Sequence, residues 1–129
     1  MSDMKDIIAK SLDLKILFVE DNKDARESAL MVFENFFGKI DIAINGEEGL
    51  EKFKENSYDL VITDINMPKI NGTKLIKEIK KIDSKINIFI FSAHNEDKYF
   101  TDVKDIDIDY YLSKPLDLEQ LLEALRKVI

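Results

Sequence analysis

The chain has 129 residues, contains no cysteine and carries a formal net charge of −7. This length suits one domain with its own hydrophobic core, and the lack of cysteine excludes disulfides, thiolate metal sites and thiol nucleophiles. The negative charge opposes nonspecific binding to nucleic acid or to an anionic membrane, and the sequence has no signal-peptide or membrane-spanning apolar run. We therefore expect a cytoplasmic protein without direct nucleic-acid or membrane partners.

Residues 1–14 are predicted to be an N-terminal extension, in which Ile7, Ile8 and Leu12 favour a short amphipathic helix. In the remainder, residues 15–129, short apolar runs alternate with helical periods. Strands are predicted at residues 15–19, 40–44, 60–63, 86–91 and 108–112.

Helices are predicted between these strands. Three apolar stripes have helical spacing: Ala25, Ala29, Val32, Phe33 and Phe36, then Leu75, Ile76, Ile79 and Ile82, then Leu118, Leu121, Leu122, Leu125 and Val128. A shorter helix is indicated around residues 50–53 and a weak one over residues 95–103. Asn22 and Asp117 are predicted N-caps, and Gln120 stands at the distance of a capping box from Asp117.

The first, third and fourth predicted strands are apolar without alternation, as expected for strands that are covered on both faces. Strands that alternate with helices form parallel sheets, because crossovers between parallel strands are right-handed. We therefore expect an α/β fold of one domain, with a doubly wound, five-stranded parallel sheet.

Polar side chains follow four of these strands, at the edge of the sheet where ligands bind. Glu20 and Asp21 follow the first strand, Asp64 ends the third, Ser92 ends the fourth and Lys114 follows the fifth. Converging carboxylates repel one another, and hard oxygen ligands suit Mg²⁺. Taken singly, each residue is more readily explained as a turn former, a helix-capping acid or a solvated side chain. Their agreement at one edge favours a functional site.

In type, order and placement these five residues resemble those of a response regulator receiver domain, in particular the stand-alone chemotaxis-regulator type. The resemblance covers residues 15–129 and implies a flavodoxin-like (βα)5 fold. It implies that Asp64 accepts a phosphoryl group, with Ser92 as a hydroxyl donor and Lys114 as a cation beside the phosphoryl oxygens. It also implies a Mg²⁺ ion bound by Asp21, by Asp64 and by the main-chain carbonyl of Asn66, with Glu20 binding the ion either directly or through water.

Four further residues correspond to family positions. Tyr111 matches a switch aromatic that turns inward with Ser92, although a half-buried strand tyrosine is the plainer alternative. The resemblance also implies a cis bond between Lys114 and Pro115, where the sequence alone indicates only a turn. Gly72 matches a loop glycine. His94 matches a position that modulates phosphate lifetime together with Asn66, with an exposed loop histidine as the plainer alternative.

The resemblance implies a sensor histidine kinase or a phosphotransfer protein as the phosphodonor. An unknown downstream protein would bind the face formed by the fourth helix of the receiver unit, the fifth strand and the last helix. Asp107 stands where the family often has glycine, so the identity of that partner stays open. Because the domain would catalyse only its own phosphorylation and dephosphorylation, we do not expect an enzyme.

Four alternatives remain. A receiver-like interaction module that is never phosphorylated is disfavoured by the intact site residues. An aspartate-nucleophile phosphohydrolase requires an acid two residues after Asp64, where this chain has Asn66. A flavin mononucleotide carrier is disfavoured because Glu20 and Asp21 would repel phosphate. A transcription factor is disfavoured because this sequence has no DNA-binding segment after Ile129, an objection that falls if the chain is a fragment of a longer protein.

Overall fold

The computed structural model of the chain describes residues 2–65, 67, 71–92 and 106–129. In chain order the elements are α1 (Ser2–Ser11), β1 (Lys15–Val19), α2 (Lys23–Phe33), β2 (Lys39–Ala43), α3 (Gly46–Glu55), β3 (Leu60–Thr63), α4 (Gly72–Ile82), β4 (Asn87–Ser92), β5 (Tyr110–Ser113) and α5 (Leu118–Val128). The strands form one parallel sheet in the order β2-β1-β3-β4-β5. Among the described residues, no helix has the length and apolar character needed to cross a membrane.

The three central strands are buried on both faces. Every residue of β3, and all but the first residue of β1 and of β4, is buried. Strands covered by helices on both sides need apolar side chains on both faces, which explains their non-alternating sequences. The edge strands β2 and β5 are less buried. The predicted doubly wound, five-stranded parallel fold is confirmed, whereas the weak helix predicted over residues 95–103 lies outside the described residues.

Three strands differ from prediction by one or two residues at each end. β2 begins and ends one residue early, β4 begins and ends one residue late, and β5 begins two residues late and ends one residue late. The start of β5 has a local cause, because the Asp109 carboxylate accepts a hydrogen bond from the Ile88 N–H at 2.8 Å. A side chain here takes the place of a strand carbonyl, so regular pairing begins only at Tyr110.

Most of the predicted apolar stripes are buried against the sheet. The fully buried helix residues among them are Ala29, Phe33, Leu75, Ile76, Ile79, Leu121 and Leu125. Ile82 and Leu118 are instead 50% and 44% exposed, since they occupy the last position of α4 and the first of α5. Phe36 lies beyond the end of α2 but is buried in the following turn.

Side-chain caps begin α2 and α5 as predicted. Asn22 and Asp117 each accept a hydrogen bond from a backbone N–H of the first turn, at 2.9 Å. The capping box predicted with Gln120 is wrong. Gln120 Oε1 instead accepts hydrogen bonds from the backbone N–H and the hydroxyl of Ser113, at 2.8 and 3.1 Å. Gln120 thereby satisfies the backbone N–H of Ser113 on the edge strand β5. The same oxygen would be needed for the capping box, so the two hydrogen bonds compete.

The predicted N-terminal helix is present as α1 and packs on the domain. Ile7 is buried in the core cluster between the sheet, α2 and α5, and α1 contacts α5. The buried hydroxyl of Ser11 donates to the carbonyl of Phe36 at 2.7 Å. Leu12, predicted on the apolar face, is 46% exposed because α1 ends at Ser11.

We expect Ile7→Ala to lower the free energy of unfolding by roughly 2–5 kcal/mol, because it leaves a cavity in the core. Urea denaturation is the measurement. Met4→Ala is the matched control on the exposed side of α1, where Met4 is 40% exposed, and it should change stability by less than about 0.5 kcal/mol. Equal effects of the two changes would show that α1 does not contribute to the core.

Gly72, at the start of α4, lies against the backbone that carries Asp64. A Cβ atom there would lie 2.1 Å from the Asp64 carbonyl oxygen and 2.6 Å from the Ile65 Cα atom. The Gly72 N–H donates to the Ile65 carbonyl at 2.7 Å, so the two segments cannot separate without losing this bond. Only glycine fits here, for the reason of close approach.

Gly72→Ala should therefore destabilise the protein by about 1–3 kcal/mol or more, measured by urea denaturation. Gly49→Ala is a suitable comparison, because a Cβ there would meet movable side-chain methyl groups of Val19 and Leu75. We expect the smaller loss for Gly49→Ala. Unchanged stability in Gly72→Ala would contradict the close packing of α4 on the Asp64 backbone.

Candidate functional site

Four strands end at the same edge of the sheet and place the polar residues there. The register of β1 and β3 pairs Val19 with Thr63, so the residues that follow, Glu20 and Asp64, emerge side by side. The Asp64 N–H donates to the Val19 carbonyl at 3.0 Å, which continues the ladder one residue past β3. Parallel pairing of the two central strands thus fixes where the acidic residues meet.

Three carboxylates converge at this edge. Glu20 is completely buried, Asp64 is 3% exposed, and Asp21 is exposed. One carboxylate oxygen from each residue lies within 4.8 Å of the others. Carboxylates this close repel one another unless a cation lies between or beside them.

Lys114 supplies one such cation. Its Nζ lies 2.8 Å from Glu20 Oε1 and 3.2 Å from Asp64 Oδ2, and its side chain is 19% exposed. The Lys114–Pro115 peptide bond is cis, as the family resemblance implied. The Nζ atom also lies 5.3 Å from the centre of the Phe91 ring, in cation–π contact. Lys114 therefore joins two of the three acids and closes the site on the β4 side.

The pKa of Glu20 is raised from 4.5 to about 7, chiefly because the side chain is buried. The negative charge of Asp64 contributes to this rise, whereas Lys114 and the Asn22 N–H oppose it. For Lys114, burial by itself lowers the pKa, but the contacts with Glu20 and Asp64 outweigh it and the pKa is raised. One cation therefore does not balance the negative charge of the cluster.

The residues present fit a Mg²⁺ ion. All three candidate ligands are carboxylates, the hard oxygen ligands that this ion prefers. Glu20 Oε1 is buried and has no hydrogen-bond partner among the described residues, apart from its ion pair with Lys114. A divalent cation would stabilise this buried oxygen in its charged form. The structure thus brings together the three predicted acidic side chains, Glu20, Asp21 and Asp64, which could hold such an ion.

Ser92 and Tyr111 lie in β4 and β5, the two strands next to Lys114. Ser92 is the last residue of β4 and is buried, and its carbonyl accepts a hydrogen bond from the Lys114 N–H at 2.9 Å. Tyr111 pairs with Ile90 of β4 and is 37% exposed. The structure thus has the tyrosine ring partly in solvent, and partial burial raises its pKa.

Two predicted site residues, Asn66 and His94, lie outside the described residues. Arg26, by contrast, is described by the structure and was not predicted from the sequence to belong to the site. Its Nη1 donates to the carbonyl of Glu20 at 2.9 Å and lies 3.4 Å from the carbonyl of Asp21. One feature of the sequence could have pointed to Arg26: it is a basic residue in the first turns of α2, where the helix macrodipole disfavours a cation.

A cavity of about 460 Å³ opens between α2 and the segment that follows β5. Its lining is mainly apolar and includes Ala25, Val32 and Leu116. Lys114 lines the same cavity, so the cavity reaches the charged site.

Comparison with known sequences gives one family for nearly the whole chain. The model of the response regulator receiver domain matches residues 16–126. The chain is 34% identical to the chemotaxis protein CheY of Bacillus subtilis, over 89% of this chain and 97% of that protein. It is 32% identical to the response regulator ArlR of Staphylococcus saprophyticus, over 89% of this chain but only 52% of ArlR. The chain therefore spans about half of that relative.

Solved structures agree with this result. The N-terminal domain of an uncharacterized protein from Wolinella succinogenes has a TM-score of 0.80 and 37% identity, covering 89% of this chain and 93% of that one. The response regulator protein TrrA from Thermotoga maritima, solved in complex with Mg²⁺ and BeF, has a TM-score of 0.77 and 33% identity, covering 90% and 99%. In its fold, in its acidic edge and in its sequence, this chain belongs to the family of response regulator receiver domains.

Proposed function

We propose that the protein works as a response regulator receiver domain that accepts a phosphoryl group on Asp64 with the help of Mg²⁺. The family is a phosphoacceptor signalling family that works with histidine kinases or phosphotransfer proteins and binds Mg²⁺ at its acidic edge. One observation carries the assignment of Asp64: it belongs to the acidic cluster, contacts Lys114 and keeps an accessible edge of its side chain. Glu20 shares the first two properties but is completely buried. A phosphoryl group on Asp64 would thus lie between a metal site and a fixed ammonium group.

Each neighbour has a proposed role. An oxygen of Asp64 attacks the phosphorus of the donor and forms an O–P bond, while the bond to the donor's leaving group breaks and the leaving group departs with the electron pair. When bound by Glu20, Asp21, Asp64 and the Asn66 carbonyl, Mg²⁺ neutralises charge on the phosphoryl oxygens. Lys114 contributes a second positive charge, and the Ser92 hydroxyl donates a hydrogen bond. Because Asp64 attacks as a carboxylate, no general base is needed.

The phosphodonor is proposed to bind at the cavity between α2 and the segment after β5. A donor protein must bring its phosphoryl group to Asp64, and Lys114 both lines this cavity and contacts Asp64. The apolar lining offers a surface for a partner side chain, beside the charged site. This position leaves β5 and α5 accessible to a second partner.

The downstream partner is proposed to bind the face that includes β5 and α5. Lys114 directly follows β5, and the Lys114 N–H is bonded to Ser92, so movement of Ser92 toward a phosphoryl group would pull on β5. Tyr111 and Leu118 are exposed side chains on these elements. The output is then a shift between two conformations of this face rather than chemistry on another substrate.

The division into an extension of residues 1–14 and a receiver unit of residues 15–129 belongs to the same proposal.

Phosphorylation is tested with acetyl phosphate and Mg²⁺, followed by intact mass. We expect one phosphoryl adduct in the natural sequence and none in Asp64→Asn or without Mg²⁺. Asp13→Asn is the matched control, since Asp13 is exposed and precedes β1, at the opposite edge of the sheet. An adduct that persists in Asp64→Asn would remove the assignment, and repeated turnover of a phosphate ester would favour a phosphohydrolase.

The raised pKa of Glu20 predicts a pH dependence for Mg²⁺ binding. Folded Glu20 keeps its proton up to a pH of about 7, whereas unfolded Glu20 loses it near 4.5. Without Mg²⁺, this group therefore stabilises the fold below about pH 4.5, and that contribution is lost as the pH rises to about 7. Because Mg²⁺ replaces the proton, its affinity should increase over the same interval, by up to about tenfold per pH unit, and level off above it.

Isothermal titration calorimetry of Mg²⁺ binding between pH 5 and 8 measures this dependence. Glu20→Gln removes the titrating group. Its Mg²⁺ affinity should be lower than that of the natural sequence and should change little with pH near 7. A natural protein whose Mg²⁺ affinity does not change from pH 5.5 to 7.5 would contradict the role of Glu20 as a ligand.

A further inference from the structure

The loop between β1 and α2 carries two of the three acidic side chains and is held by several polar contacts. The Glu20 N–H donates to the Ala43 carbonyl at 3.0 Å, and Glu20 Oε2 accepts from the Asn22 N–H at 3.1 Å. These contacts fix the buried side chain of Glu20. They leave the direction of Asp21, the exposed member of the cluster, to the backbone of residues 20–22.

Arg26 holds that backbone from α2. Its half-buried guanidinium group reaches back over one helical turn, where Nη1 donates to the Glu20 carbonyl at 2.9 Å and lies 3.4 Å from the Asp21 carbonyl. One planar donor group thus contacts the two peptide units that flank the Asp21 Cα atom. The fixed geometry of a guanidinium group suits such a contact better than a flexible ammonium group does.

The charge of Arg26 is in the wrong place for electrostatic benefit to a metal site. A cation near the N-terminus of a helix opposes the macrodipole. A cation near a Mg²⁺ site also repels the incoming ion. The hydrogen bonds to the two carbonyls are therefore the feature of Arg26 that can favour metal binding.

We propose that Arg26 is a positioning residue for the metal site: it fixes the peptide units of Glu20 and Asp21 so that their carboxylates converge with Asp64. This inference rests on the proposed function, because it concerns the same Mg²⁺ ion. It adds a residue that contacts neither the metal nor the phosphoryl group. Groups that orient metal ligands affect metal affinity by about 10- to 100-fold when they are removed.

The test is the Mg²⁺ dissociation constant, measured by calorimetry for Arg26→Met, Arg26→Lys and Lys23→Met. An orienting role and a purely electrostatic role of Arg26 predict changes of opposite sign in the Mg²⁺ affinity of Arg26→Met. If Arg26 orients the loop, Arg26→Met should weaken Mg²⁺ binding by about tenfold or more. Arg26→Lys, which keeps the charge but loses the planar fork, should weaken it as well, to a smaller extent. Lys23→Met, which removes an exposed cation from the first turn of α2, should leave binding unchanged or slightly tighter.

If Arg26 acts only through its charge, Arg26→Met should tighten Mg²⁺ binding and Arg26→Lys should leave it unchanged. Either result, or equal affinity in all variants, overturns the inference. Absence of Mg²⁺ binding in the natural sequence would instead overturn the proposed function, so the two failures are distinguishable.

A second measurement separates orientation from general loss of structure. The rate of adduct formation from acetyl phosphate is followed against Mg²⁺ concentration. A positioning role raises the half-saturating Mg²⁺ concentration of Arg26→Met while the limiting rate at saturation is retained. A limiting rate that falls with no change in half-saturation overturns the inference. If Arg26→Met does not fold, as judged by thermal unfolding without Mg²⁺, Arg26→Lys provides the same comparison.

Discussion

The parallel pairing of β1 with β3 is the constraint on which the rest of this site depends. Both strands are central and fully covered by helices, so their register is fixed by apolar contacts on two faces. Glu20 and Asp64 directly follow the paired ends of these strands, so their proximity does not depend on the conformation of a loop. Slippage by one residue would turn every side chain of a strand to the opposite face, so the core protects the geometry of the site.

The acidic cluster is unfavourable for the domain that carries it. Removing Glu20 and Lys114 from water costs about as much as their attraction returns, so this pair contributes little to stability. The raised pKa of Glu20 expresses the same conflict, since burial and a second carboxylate both disfavour its charged form. The cluster is therefore better explained by the cation that it is proposed to bind than by a gain in stability. Lys114 and a divalent cation together provide the positive charge that a phosphorylated Asp64 would require.

The two edges of the sheet have separate tasks. The carboxyl ends of the strands carry the acids, Ser92 and Lys114. At the amino ends, α1 leads into β1. Gly38 lies there so close to the Leu12 carbonyl oxygen that a Cβ atom would be 2.6 Å from it. Through Ile7, α1 enlarges the core on the side of α2 and α5. The extension therefore adds packing without covering the candidate site, and β5 remains the direct connection between Lys114 and the exposed Tyr111.

Periodicity in the sequence determined the fold class and the strands, because unbroken apolar runs and helical stripes are local properties. It also determined the order of the site residues, since parallel strands bring their carboxyl ends to one edge. Tertiary structure alone decided the contacts that depend on competition between partners. Gln120 binds Ser113 rather than completing a capping box, and Asp109 replaces a strand carbonyl at the start of β5. Arg26 reaches back to the acidic loop, and Gly72 is needed because α4 touches the Asp64 backbone. These contacts join residues whose proximity depends on packing between elements, which local sequence patterns do not encode.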